Sequence, residues 1–269
     1  MTTIEQRIKQ LERRVNRYRW GVHARLLPSL LLLMVGLSLV LHPSCSKKTP
    51  TEPGDDWPAG YVHCGGIETE VVPVTNPATG QTWMDRNLGA SRAATSSTDE
   101  EAYGDLYQWG RFADGHQCRN SSTTSTLSST AKPGHGQFIL NPNYPWDWRS
   151  PQHTDLWQGV ILWQGVNGVN NPCPAGYRLP TQAELADERA SWSSDDADGA
   201  FASPLKWSAA GCRLGSDGSL EYLADPYGFY WSSAGVEGTH AWCLELGIGE
   251  ADEHPNVRTH GFSIRCLKQ

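Results

Sequence analysis

No two cysteines of this chain stand in a C-x-x-C pair, and the intervals between those after Cys45 are all too long for a zinc finger or ribbon. A nucleophile elbow, a phosphate-binding glycine loop and a paired set of catalytic carboxylates are also missing, so the usual sequence marks of hydrolases and nucleotide-binding enzymes are not met. Asp195-Asp196-Ala197-Asp198-Gly199 looks like a calcium loop, but an EF-hand would need an acid at Ser194 and a Glu at Leu205. His240, His254 and His260 share the tail without a metal-ligand spacing and read as surface residues. No metal or cofactor is therefore expected. Basic residues are few: 22 Lys and Arg face 29 Asp and Glu, for a net charge of -7. Outside the N-terminus no basic stripe is left, which argues against a nucleic-acid partner. The longest apolar run, Leu26 to Leu41, is broken by Pro28, Ser29, Gly36 and Ser38 and is short for a membrane span.

That run has an address written around it. Arg7, Lys9, Arg13, Arg14, Arg17, Arg19 and Arg25 precede it, against only Glu5 and Glu12. It ends in Leu41-His42-Pro43-Ser44-Cys45-Ser46-Lys47-Lys48, which resembles a bacterial lipoprotein signal with Cys45 as the lipidated first residue, although His42 stands where an aliphatic residue is usual. Ser46 carries no Asp-type retention signal, so an outer-membrane lipoprotein of the cell envelope is the expected location. An uncleaved N-terminal helix with its basic flank in the cytoplasm is the alternative. Residues 1–45 then form the basic n-region plus signal or anchor, 46–57 a Pro-rich acidic tether, and 58–269 the folded domain. Export fits the cysteine count: without Cys45, six remain, an even number for an oxidising compartment, with fifteen possible pairings.

The body is globular in composition, at 38% apolar and 19% charged, and carries 12 Trp, most of them expected in a core and a few as ligand-stacking platforms. Two capping boxes, Thr98-Asp99-Glu100-Glu101 and Thr181-Gln182-Ala183-Glu184, predict helices to about Ala113 and Trp192, the first weakened by Gly104 and Gly110. Strands are predicted over 70–74, 82–85, 206–214, 229–233, 241–246 and 262–267. Phe262, Ile264 and Cys266 alternate with Ser263 and Arg265, and Trp242, Leu244 and Leu246 with Cys243 and Glu245, the period of half-buried strands. Gly247 to His260 shows no period. Asn120–Thr130 is a low-complexity Ser/Thr loop, and LWQGV occurs twice between Leu156 and Val166. The expected class is α+β: two helices, a small mostly antiparallel sheet and long loops.

Five motifs carry a family resemblance: WMDRNLGASRAAT (Trp83–Thr95), AYGDLYQWGRFADGHQCR (Ala102–Arg119), LWQGVNGVNNPCPAGYRLPTQAEL (Leu162–Leu185), FYWSS (Phe229–Ser233) and GFSIRC (Gly261–Cys266). In this order they resemble the Fibrobacter succinogenes major paralogous domain family, over roughly Cys64 to Lys268. The resemblance implies a C-type-lectin-like fold related to formylglycine-generating enzymes, and export with a lipid anchor. It is also similar to the variable proteins of diversity-generating retroelements, whose C-terminal region is diversified. It implies Cys173–Cys266 as a disulfide; Cys212–Cys243 from facing strands and Cys64–Cys118 complete the expected set. The function expected is ligand binding and display at the cell surface, without enzyme activity, through residues about 230–266. The face would comprise Val236, Glu237, His240, Trp242, Glu245, Ile248, Glu250, Asp252, His254, Asn256, Thr259 and His260, with a protein or glycan as partner and the membrane held through the lipid or N-terminal helix. Trp242 shares the alternation of Leu244 and Leu246, so it stands between burial and exposure. A Glu-Pro-Asn triplet of calcium-dependent sugar binders is interrupted by His254 in Glu253-His254-Pro255-Asn256. The alternatives are a passive envelope or adhesion module and a formylglycine-generating-type enzyme using Cys243 and Cys266.

Overall fold

The computed structural model describes residues 57–151, 168–223, 226–236 and 239–269. Cys45, the apolar run, nearly all of the tether, the LWQGV duplication and Glu237 lie outside the described residues. Among the described residues no helix is long and apolar enough to cross a membrane.

The architecture corrects the α+β, C-type-lectin-like expectation. Among the described residues strand outweighs helix, 26% against 11%, and four separate small sheets stand in place of one. Strands β1 (Pro73–Thr75), β2 (Thr82–Met84), β6 (Tyr177–Arg178) and β13 (Leu267–Lys268) form an antiparallel sheet in the order β1-β2-β13-β6. Strands β3 (Tyr107–Gln108), β7 (Cys212–Arg213), β8 (Leu220–Glu221) and β12 (Gly261–Phe262) form another, in the order β3-β12-β7-β8. A short parallel pair joins β4 (Thr123–Thr124) to β5 (Phe138–Ile139). The longest strands, β9 (Gly228–Gly235), β10 (His240–Gly247) and β11 (Glu250–Val257), make an antiparallel meander with β10 in the centre.

This meander partitions the core. On one face Phe229, Trp231, Ala241 and Cys243 pack with Tyr107, Trp109, Phe262 and Ile264. On the other, Tyr230, Leu244, Leu246 and Ala251 pack with Trp83, Leu205 and Trp207. Strands covered on both faces read as apolar runs rather than alternations, which is why FYW is continuous in β9.

The tail after β11 departs from the half-buried strand expected over 262–267. Ser263 is 0% exposed and Arg265 2%, as deep as Phe262 and Ile264. The segment leaves β12, bonds Phe229 and Trp231 through the Ser263 backbone, accepts the Leu88 and Met84 amides, and ends in β13. Each residue thus serves a different neighbour: Ser263 is held by its backbone, its hydroxyl being buried without a hydrogen-bond partner, and Arg265 is buried because its guanidinium is satisfied. Arg265 donates to Asn87 Oδ1 at 3.0 Å and to the Leu205 carbonyl at 2.7 Å, and stacks on Trp207.

Only two α-helices occur among the described residues, α1 (Gln182–Ala190) and α2 (Ala197–Ala202). The second capping box forms as expected: Thr181 Oγ1 accepts the Glu184 amide and Glu184 accepts the Thr181 amide. The first does not open a helix. Asp99, not Thr98, caps a single 3-10 turn, Glu100–Ala102, and the chain then extends into β3. Gly104 sits at φ +65°, and a Cβ there would lie 2.2 Å from the Leu88 carbonyl. Asp105 and Leu106 give their amides to Leu88 and Gln117 instead of to a helical turn. The anticipated stripe, Ala102, Leu106, Trp109 and Ala113, is nonetheless buried.

Two of the three expected disulfides are present, Cys64–Cys118 and Cys173–Cys266. Cys212–Cys243 is not formed; both residues are buried in the core.

Candidate functional site: the β10–β11 hairpin

The region read as aperiodic, Gly247 to His260, is largely a strand. β11 pairs with β10 along its whole length, from Gly247↔Glu250 to His240↔Val257, around the two-residue turn Ile248-Gly249. Gly249 supplies φ +72° there, and Ile248 is exposed. Periodicity fails for β11 because it is an edge strand. Its Pro255 removes a donor, which a sheet tolerates at an edge, and Glu250, Asp252 and Glu253 blunt the edge against pairing with another chain.

Pairs directly opposite share a face. Glu245↔Asp252, Cys243↔His254 and Ala241↔Asn256 lie on one, His240↔Val257, Trp242↔Pro255 and Leu244↔Glu253 on the other. Eight of the twelve expected binding residues thus lie on one hairpin, on its turn or split between its two faces; Val236 precedes it and Thr259 and His260 follow it. Glu245, Asp252, His254 and Asn256 fall together; His240 and Trp242 fall behind them. Trp242 is half-buried, which places it between the two expectations for it. Two members of the set are core residues: Thr259 is 1% exposed and Glu245 9%. His260 is partly covered, and its Nδ1 accepts the Gly215 amide at 2.8 Å. Burial pushes its pKa down to about 4, so the ring is neutral at physiological pH. His240 is shifted down as well, by burial and by the Arg258 charge. Val236 is tied into the frame, its amide bonded to the His240 carbonyl.

On the first face, Cys243, His254 and Glu245 are clustered. Cys243 Sγ donates to the His254 carbonyl at 3.3 Å and lies 3.8 Å from His254 Nε2, while Glu245 Oε2 is 3.4 Å from the same nitrogen. A nucleophile–base pair needs closer approach, and the orienting acid belongs on the far ring nitrogen. Thiol and carboxylate here address one nitrogen of the ring. Among the described residues no group of three or more His, Cys, Asp and Glu side chains is placed to hold a metal.

One flank of the site escaped sequence reasoning. The loop Asn141–Trp148 docks on the end of β11 through Arg258, whose Nη1 donates to Asp147 Oδ2 at 3.4 Å; both side chains are buried. Burial pushes the Asp147 carboxyl up and the Arg258 guanidinium down, so each charge depends on the other. Arg258 also reaches the His240 carbonyl and lies 4.8 Å over Trp109. The Thr259 amide bonds the Trp146 carbonyl. This presents Tyr144, 74% exposed, beside Trp146, whose ring is 6.2 Å from His240. The signal was the aromatic-rich run NPNYPWDW, Asn141 to Trp148. No protein-family description, no curated protein and no solved structure matches this chain.

Proposed function

We propose that this chain is an exported, membrane-anchored binding and display protein, held by lipid on Cys45 or by its N-terminal helix, whose binding face is the exposed side of β11 with its turn. Its partner is a protein or glycan met at the cell surface, and the chain does no chemistry on it. The resemblance to diversified variable proteins belongs to the same reading. The observation that carries it is a contrast within one sheet: β9 and β10 are buried on both faces, while β11 sets Glu250, Asp252, His254 and Asn256 at partial or full exposure along a fixed edge. Side chains on such an edge can change without unfolding the core, and a rigid scaffold orders them before a ligand arrives. The Tyr144–Trp146 ledge extends the face with aromatic surface.

The test has two arms. Metabolic labelling with palmitate should tag the full-length chain and fail with Cys45→Ser; labelling and processing that are unchanged in the variant would leave only the helical anchor. Glycan and peptide arrays probed with the full-length protein should yield a partner whose binding falls at least about tenfold for Asp252→Ala with His254→Ala. Binding that survives this pair but is lost on substitution within Asn120–Thr130 would place the site on the other loop.

A further inference from the structure

The tryptophans sort by place. Among the described residues Trp83, Trp109, Trp148, Trp207 and Trp231 are buried, and Trp57 and Trp192 pack against the core. Trp146 and Trp242, both half-buried, join neither core cluster. The hairpin brings them to one end of itself. Register sets Trp242 and His240 on the face they share with Pro255 and Val257. The Trp146 ring lies 6.2 Å from His240 and 5.4 Å from the exposed Tyr144 ring. Toward the turn the same face is closed, Leu244 and Leu246 packing with Leu185 of α1. What stays open is a strip of Tyr144, Trp146, His240, Trp242, Pro255 and Val257.

Three features define its chemistry. The rings are fixed. Trp146 is held at φ +53°, a backbone region that a bulky residue seldom enters, by its amide on the Asn143 carbonyl at 2.7 Å and its carbonyl under the Thr259 amide. Asn141 closes the same loop, its Nδ2 donating to the Asp147 carbonyl at 2.9 Å. The strip is also uncharged. Burial and the Arg258 charge disfavour the His240 cation, Arg258 is itself buried against Asp147, and the next acid on this face, Glu253, is held by Arg189. An anion meets no open cation here and a cation no open carboxylate, so the ligand is neutral. Finally, the strip is far smaller than the roughly 20–30 residues a side of a standard protein interface. A pyranose ring fits all three. Its C–H face is weakly positive and suits the negative faces of aromatic rings. Its hydroxyls fall at the strip's polar margin, where the Tyr144 hydroxyl and the exposed Asn143 amide both donate and accept.

We infer that this strip binds a neutral glycan, one or two pyranose units stacking on Tyr144, Trp146 and Trp242. The inference rests on the display reading in placing the chain where glycans are met, and it narrows the partner of that reading to a sugar. Ring stacking supplies the affinity, and the lack of charge excludes acidic sugars.

Ligand-observed saturation-transfer NMR on the full-length protein in dodecylphosphocholine micelles, which carry no sugar headgroup, tests this with cellobiose, maltose, lactose, digalacturonate and decaproline. Saturable transfer is expected to at least one of the three neutral disaccharides, strongest at the ring C–H protons, and to neither of the other two probes. Tyr144 is 74% exposed, so Tyr144→Ala leaves the core alone; it should weaken binding about tenfold. Tyr144→Phe keeps the ring and should stay within about twofold of the parent, which a loss of loop structure would not do. Asp252→Ala with His254→Ala, on the hairpin's other face, should leave disaccharide binding unchanged. An array partner that depends on this pair but not on Tyr144 would leave the display reading standing and overturn the glycan strip. Disaccharide binding that depends on Tyr144, with no array partner depending on the pair, supports the strip alone. No transfer to any neutral disaccharide, equal transfer to digalacturonate, transfer to decaproline in their place, or unchanged affinity in Tyr144→Ala would also overturn it.

Discussion

Strands β10 and β11 run side by side in unbroken register, yet six of eight residues in β10 are buried and only one of eight in β11. Backbone pairing is shared; coverage is not. β10 has β9 on its other edge and core on both faces, so each of its side chains is constrained by volume. β11 has a neighbour on one side only, and its polar residues meet water or a few chosen partners. Regular hydrogen bonding therefore says little about how much a strand can vary. Coverage decides that, and the binding face proposed above rests on the difference.

Arg258, just beyond β11, is where the contrast should break. Arg258→Ala strands Asp147 as a buried, unpaired charge and should cost about 3–5 kcal/mol, read as a fall in the denaturant midpoint. A loss below about 1 kcal/mol would mean that the loop is not held by this pair. Leu244→Ala, fully buried in β10, should cost about 2–5 kcal/mol by cavity formation, measured in the same way. Gly249→Ala tests the turn that joins the strands: its positive φ imposes about 1–2 kcal/mol although no atom lies near the added methyl.

Acid should act on the region through His260. Its folded pKa, about 4, is below the ordinary histidine value of about 6.5, so the unfolded chain takes up the proton first. Its contribution is complete above about pH 6.5 and declines as pH falls toward 4. His260→Gln should flatten that part of the stability–pH curve. The smallest effect belongs to the exposed edge: Asp252→Ala should change stability by no more than about 0.5 kcal/mol. A large cost there would show that the edge is structural and weaken the case for a binding face.

The two capping boxes show how far local spacing carries. Thr181 and Glu184 close a real box because the residues after them are free to coil and bury Leu185 and Glu188. Thr98 and Glu101 have the same spacing, but Gly104 must pass against the Leu88 carbonyl, and the turn at Leu88 together with Gln117 takes the Asp105 and Leu106 amides a helix would need. The disulfides divide in the same way. Cys64–Cys118 and Cys173–Cys266 form as expected, whereas Cys212 and Cys243, both on strands, sit in β7 and β10 of different sheets. β11 was invisible to periodicity because an edge strand need not alternate, although a two-residue turn ending in glycine marked its start.

What the sequence by itself determined is whatever depends on near neighbours or on composition: the Thr181 cap, the apolar anchors Leu244, Leu246, Phe262 and Ile264, the even set of body cysteines, and the absence of a metal-ligand spacing. Tertiary structure alone decided the rest. It divided one expected sheet into four, buried Arg265 and Ser263 among partners far away in sequence, brought Asp147 to Arg258, and set Glu253 opposite Arg189 across a cleft. The physical reason is that a buried polar group is costly unless its hydrogen bonds and charge are met, and those partners are chosen by the packing of distant segments rather than by spacing along the chain.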